Sequence, residues 1–260
     1  MDPRKLQPTL GALREAWDRR ARENARHYVN TGNSEWNEEE FYHSGELTVD
    51  RYILNDMVHI CRGQDPKSMR VLEIGCGTAR VTRALAGLFG EVHAVDISSE
   101  MVERARLALA AFPNTHVYQN NGMDLSVVPE LPFDFAFSTI VFQHIPSLAI
   151  IESYLREVSR LLRPGALFKA EVRGGSVAPP RNPLRKVARQ VRLLLQDRGS
   201  GLAAKMWVGV SVSPEAAARM AEQTGFDLRY QVGANEQSYW LWLFKRQAGS
   251  AGAPSADPSA

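Results

Sequence analysis

Apolar residues along this chain switch between two spacings. Short strand-like runs at 71–74, 91–95, 115–119, 133–138 and 167–173 are bounded on at least one side by Gly, Asp, Asn or Pro, and runs of that length read as strands. Between them apolar residues recur every three or four positions, as in Val81, Ala84, Leu85 and Leu88, in Met101, Val102, Ala105, Ala108 and Leu109, and in Ile151, Tyr154, Leu155, Val158 and Leu161. That period gives each segment one apolar helix face. Strands alternating with helices predict βαβ units and a parallel sheet covered on both sides. A helix over 147–162 is expected to stop at Pro164-Gly165, and one over 214–224 to follow Ser213 and close at Gly225. Strands at 226–232 and 238–246 are joined by Gly233-Ala234-Asn235-Glu236, a hairpin sequence. Tyr239-Trp240-Leu241-Trp242-Leu243-Phe244 is apolar on both faces and is expected in the core.

Candidate chemistry begins where the first strand ends. Val71-Leu72-Glu73-Ile74-Gly75-Cys76-Gly77-Thr78-Ala79-Arg80 runs from an apolar strand through two glycines into a helix that Thr78 can cap. Without a Cβ, Gly75 and Gly77 allow positive φ and let a ligand approach the main chain. Dinucleotides use such a turn through G-x-G-x-x-G, but the third small position here is Arg80. Asp96 ends the second strand 21 positions past Gly75, where a carboxylate can accept two hydrogen bonds from a ribose diol. Its other role is to cap the helix beginning at Ser98-Ser99-Glu100. Asn120-Asn121-Gly122-Met123-Asp124 is a polar turn at the same edge. Its acid can accept from an exocyclic amine and Met123 can lie against a ring, although turn chemistry alone also accounts for Asn-Gly and Asp.

Together these segments resemble the motifs of the class I S-adenosylmethionine-dependent methyltransferases. The resemblance covers roughly 69–173 motif by motif, and the last two strands more loosely. It implies an α/β fold with a Rossmann-like, seven-stranded, mostly parallel sheet, helices on both faces, and the last strand antiparallel. S-adenosylmethionine is then the cofactor and S-adenosylhomocysteine the product. Glu73 matches a position near the methionine part of the cofactor, Asp96 the ribose-binding acid, and Asn121-Gly122-Met123-Asp124 the adenine-contacting loop. Gly75, Cys76, Gly77, Arg80, Ile97, Met101 and Ser138 are expected to complete the cofactor surface. Phe133-Asp134-Phe135-Ala136-Phe137-Ser138 resembles the fourth strand, which leads to a substrate-facing segment at 139–146, and Leu161-Leu162-Arg163-Pro164-Gly165-Ala166-Leu167-Phe168 resembles the turn into the fifth. Phe41, Ser44 and Phe142 are expected toward the acceptor.

Residues 1–63 are expected to form an N-terminal helical cap, with Leu10, Leu13, Trp17, Ala21 and Tyr28 at helical spacing and a second helix through 51–61 that stops at Gly63. The core is expected over 64–246, with a helical lid inserted at about 174–212 and a disordered tail at 247–260. In the insertion, eight basic residues between Arg173 and Lys205 face the single acid Asp197. The helix starting at Asn182-Pro183 is read as an amphipathic lid with a solvated basic face, or as a contact for an anionic substrate, an acidic partner or a membrane surface.

At 260 residues and 44% hydrophobic, the chain can bury one large core. Cys61 and Cys76 sit on a helix and a turn, which fits a reducing cytoplasm; Met1-Asp2-Pro3-Arg4-Lys5 has no apolar signal region, and no window is long enough to cross a bilayer. The six His are scattered without zinc spacing, so no metal is expected. A formal charge of +2 gives no nucleic-acid footprint; no DNA partner is expected, and RNA ranks behind a small molecule.

Methyl transfer from a sulfonium is an in-line displacement, in which the protein aligns, excludes water and, for weak nucleophiles, removes a proton. His144, in Val141-Phe142-Gln143-His144-Ile145-Pro146, is the first candidate base, with a structural hydrogen bond beneath the cofactor as its other reading. Tyr42 and His43 are rivals whose other role, like that of Ser44, is capping and lid packing. Ser138-Thr139-Ile140-Val141 stands where enzymes acting on base amines carry Asn/Asp-Pro-Pro-aromatic, and no cysteine nucleophile lies in that region. The expected activity is methylation of O, N or S on a small acceptor. The alternatives are a nicotinamide-dependent oxidoreductase and a non-catalytic cofactor-binding module that engages a partner through the basic helix.

Overall fold

The computed structural model describes residues 6–175, 209–234 and 236–247. Within them one sheet contains β1 (Arg70–Ile74), β2 (Glu91–Asp96), β3 (Thr115–Gln119), β4 (Phe133–Ser138), β5 (Leu162–Arg173), β6 (Phe226–Val232) and β7 (Ser238–Lys245), in the order β3-β2-β1-β4-β5-β7-β6. β1 to β5 pair in parallel, and β7 runs antiparallel to both of its neighbours. The helices are α1 (Gln7–Val29), α2 (Glu38–Tyr52), α3 (Met57–Cys61), α4 (Thr82–Leu88), α5 (Ser99–Ala108), α6 (Leu148–Leu161) and α7 (Pro214–Gln223).

Period-two alternation sorts each strand between two cores. Leu72, Ile74, Ala136 and Phe168 face α6 and α7, where Ile151, Leu155, Val158, Ala217 and Met220 close the layer. Val71, Phe135, Phe137 and Leu167 face Val49, Ile53, Ile60 and Leu85 from α2, α3, α4 and the chain joining the first two. β7 serves both: Tyr239, Leu241 and Leu243 pack in the first core, Trp240, Trp242 and Phe244 in the second.

Three local expectations are corrected. α4 starts at Thr82 rather than just after Thr78, because Gly77 and Ala79 both hold positive φ (54° and 69°) and keep 77–81 in turns. Residues 40–45 lie inside α2, capped by Asn37 whose side chain accepts from the Glu40 N–H. The helix expected over 51–61 is broken at 53–56, where Lys169 of β5 donates to the Tyr52 carbonyl and to Asp56, and Ile53 is fully buried. α1 is itself interrupted at Asn24, whose extended backbone (φ −163°) and side chain, accepting from the His27 N–H, restart the helix at a new angle.

The basic helix, most of the expected lid and the tail beyond 247 lie outside the described residues. Among the described residues no helix is long and apolar enough to cross a membrane.

Candidate functional site

Sheet order reverses between β1 and β4, so their connections leave in opposite directions and a crevice opens beyond the strand ends. The crevice contains about 880 Å³ of space counted out into its mouth, and α1 forms its far wall.

Its floor is the Gly75–Gly77 bend. Gly75 and Cys76 N–H groups both donate to the Val95 carbonyl (2.8 and 3.0 Å), folding the end of β1 over β2. Gly75 has φ 76°, and a Cβ there would lie 2.1 Å from Val141; one on Gly77 would lie 2.6 Å from Val29. Both positions therefore require glycine for conformation and for space.

Asp96 is half-buried at the β2 end, and its Oδ2 accepts from the Gly77 N–H (2.9 Å) while Oδ1 accepts from the Ser98 N–H (2.9 Å). Capping of α5 falls instead to Ser98, whose Oγ accepts from the Met101 N–H (3.2 Å), and to Asp18 of α1. Each Asp96 oxygen keeps a further lone pair. Burial pushes the Asp96 carboxyl above its ordinary range. The same cause drives Glu73, on the crevice wall, up to about 7 even with Thr82 and Arg80 opposing it, and Glu73 Oε2 has no hydrogen-bond partner among the described residues. Arg80 reaches away to α2, donating to the Ser44 carbonyl and Thr48 Oγ1 (both 2.9 Å). Burial also raises the Cys76 thiol well above its usual value, which makes it a wall rather than a nucleophile.

Glu73, Gly75, Cys76, Gly77, Arg80, Asp96, Ile97, Met101 and Gly122 thus all line one crevice. Three expected cofactor residues do not. Asp124 turns back into its own loop, accepting from the Asn121 side chain, the Ser126 N–H (3.1 Å) and Ser126 Oγ (2.7 Å). Met123 packs against the α6 core, and Ser138 Oγ donates to the Ile74 carbonyl (3.0 Å), tying β4 to β1.

On the acceptor side only His144 reaches the crevice, with its ring edge-on to Trp17 at 5.5 Å. Phe142 is fully buried against Tyr154 and Phe168. Phe41 is fully buried beside Trp36, and Ser44 Oγ donates to the Phe41 carbonyl (2.7 Å). Tyr42 lines a different groove under the Arg83 guanidinium (4.6 Å), and His43 is exposed beside Glu46. Neither can serve a reaction at the β1 edge from there.

The walls are completed by Leu13, Trp17 and Tyr28 of the expected cap, Asn120 of the polar turn, Thr139, Ile140, Val141 and Ile145 of the expected substrate-facing segment, and Val29 and Tyr154, which had no functional role in the sequence reading. Asn120 Nδ2 donates to the Tyr154 hydroxyl (2.7 Å), leaving Oδ1 unpartnered among the described residues. Ile140 adopts φ 59°, costly for a β-branched residue. Glu171 holds it there, its Oε2 accepting from the Ile140 N–H (3.0 Å) and Thr139 Oγ1 (2.8 Å), and its Oε1 from Ser238 Oγ (2.8 Å). That strained turn carries Val141 over Gly75 and places His144 opposite Trp17.

A family model described as a methyltransferase domain matches residues 71–165. Demethylmenaquinone methyltransferase of Staphylococcus aureus is 32% identical over 109 residues, an alignment covering 39% of this chain and 42% of that protein. Ubiquinone biosynthesis O-methyltransferase of Xanthomonas oryzae is 30% identical over 102 residues, covering 39% and 41%. The chain spans less than half the length of these curated relatives. Among solved structures, magnesium protoporphyrin IX methyltransferase from Synechocystis PCC 6803, crystallised with S-adenosylhomocysteine, shares the fold at a TM-score of 0.59 and 16% identity, over 90% of this chain and 99% of that one.

Proposed function

We propose that this chain, whose residues 71–165 match a methyltransferase domain, is a class I S-adenosylmethionine-dependent methyltransferase whose crevice binds S-adenosylmethionine and directs the methyl group to a small, largely apolar acceptor. The observation that carries this reading is a series of buried and half-buried acceptors along one rim. Glu73 Oε2 and Asn120 Oδ1 are unpartnered among the described residues, Asp96 stands between them in sequence, and the glycine floor beneath admits no Cβ. Asp96 would accept from the ribose hydroxyls, Glu73 would face the cationic methionine end, and Asn120 with Gly122 would meet the adenine. The bound sulfonium supplies a methyl group that is already activated.

The protein's own contribution is position and dryness. Leu13, Trp17, Tyr28, Val29 and Ile140 make an apolar and aromatic wall above the floor, which suits an acceptor with an aromatic or otherwise apolar body. The quinone substrates in the names of the two curated relatives point the same way. His144, held edge-on by Trp17, would take the proton of a hydroxyl nucleophile, a task that an ionised thiol would not require.

Transfer of labelled methyl from S-adenosylmethionine to a panel of hydroxylated aromatics, amines and thiols tests this reading. Turnover is expected on an aromatic hydroxyl, and His144→Gln should lower kcat by about 100-fold while leaving S-adenosylhomocysteine affinity unchanged. Turnover confined to amines or thiols, or full kcat in His144→Gln, would overturn the oxygen acceptor and the assigned base.

A further inference from the structure

We infer that Glu91, His93 and His116 form a binding site for a divalent transition metal, of which Zn²⁺ is the best match, on the sheet face opposite α5 and away from the crevice. Sequence spacing hides it, because 23 positions separate the two histidines. Strand register brings them together: β2 and β3 pair with His93 directly opposite His116, and Glu91 precedes His93 by two residues on the same face. Their rings lie 4.6 Å apart.

Donor geometry is already close to that of a metal polyhedron. His93 Nε2 and His116 Nε2 lie 3.0 and 3.2 Å from the same oxygen, Glu91 Oε1, and the three donor atoms all fall within 4.8 Å of one another. Zinc bonds to nitrogen and carboxylate oxygen imply a tetrahedron edge of about 3.3 Å. Two edges thus have nearly the required length, and rotation of His116, whose side chain is 44% exposed, closes the third.

The surroundings fix these donors. Tyr118 OH sits 3.1 Å from His93 Nδ1 and orients the buried ring, as an outer-shell partner of a ligating histidine does. Arg70 Nε donates to Glu91 Oε2 (2.6 Å) and leaves Oε1 as a single-oxygen ligand. The guanidinium charge opposes a dication, so affinity is expected to be micromolar rather than that of a structural zinc finger. Two imidazoles and one carboxylate suit Zn²⁺, with the remaining position open to water on the exposed side. Leu125 and Val128 of the 120–132 connection and Phe133 bury His93 on one side, while His116 and Glu91 keep the open side of the site.

Co²⁺, which takes zinc sites and reports them in its visible spectrum, is the probe for the full chain after chelator treatment. One Co²⁺ per chain should give tetrahedral-type absorption that Zn²⁺ displaces. His116→Gln, an exposed change checked for folding by circular dichroism, should weaken binding by about 10-fold or more, and Tyr118→Phe by about 10-fold. His43→Gln should leave it unaltered. Absence of saturable Co²⁺ and Zn²⁺ binding in the parent chain, or parent-like affinity in folded His116→Gln, would overturn the site.

Discussion

Glu73→Gln is expected to stabilise the free protein at pH 8 and to leave it unchanged near pH 4.5. The folded-state value of about 7 lies above the ordinary 4.5. Below 4.5 both folded and unfolded chains are protonated at this residue, so ionisation makes no difference. As pH rises from 4.5 to 7 the unfolded chain ionises first, and stability falls through that window until the full penalty is present above 7. The separation corresponds to about 3 kcal/mol, and glutamine, which cannot ionise, recovers up to that amount less the lost attraction to Arg80. Ligand affinity should move the opposite way. A cationic methionine end favours the ionised carboxylate, so S-adenosylhomocysteine should bind the parent chain more tightly at pH 8 than at pH 6, with glutamine flattening the dependence. Denaturant titrations at both pH values check the first half and calorimetry the second; an identical stability difference at the two pH values would exclude the buried, proton-holding carboxyl.

Gly45→Val is expected to cost about 3 kcal/mol or more and to loosen the ligand crevice. A Cβ at this position would sit 1.8 Å from the Arg80 carbonyl oxygen and 2.7 Å from its carbon. Both are main-chain atoms, so α2 can accommodate the change only by moving off the turn. Overpacking costs about 1–3 kcal/mol. The displacement also breaks the Arg80 bonds to Ser44 and Thr48, at about 1 kcal/mol each. Because Arg80 ends the floor loop, S-adenosylhomocysteine affinity should fall with stability. Gly11→Ala in α1, where nothing lies within 4 Å of the added carbon, is the matching control and should be neutral or slightly stabilising. Equal stability of Gly45→Val and the parent chain would show that α2 is not seated on this turn.

The centre of the sheet was legible because its strands are buried on both faces, so the apolar runs of β1, β4 and β7 leave little choice of element. The cofactor rim was legible where backbone geometry is written in residue type, as at Gly75, Gly77 and Asp96. Thr78 misleads because nothing in its neighbours discloses the positive φ of Ala79, which delays α4. Asp124 has the expected type and place, yet Asn121 and Ser126 consume its oxygens. In α2 each residue turns the side chain by about 100°, so Phe41 and Gly45 face the body while Tyr42 and His43 point elsewhere. Trp17 and Leu13 show the same helical spacing whether they face a core or a ligand, and only the packing of α1 across the strand ends distinguishes the two. His93 and His116 are joined solely by strand register.

Titration of S-adenosylhomocysteine into the full chain and its Asp96→Ala variant by calorimetry is the most direct test that the Gly75–Gly77 bend, Asp96 and Asn120 hold the adenosyl part of the cofactor. The expected result is one site of micromolar affinity, weakened about 10–100-fold in the variant, or roughly 1.5–3 kcal/mol. Undiminished affinity in Asp96→Ala, or no binding to the parent chain alongside tight binding of reduced nicotinamide dinucleotide, would contradict it.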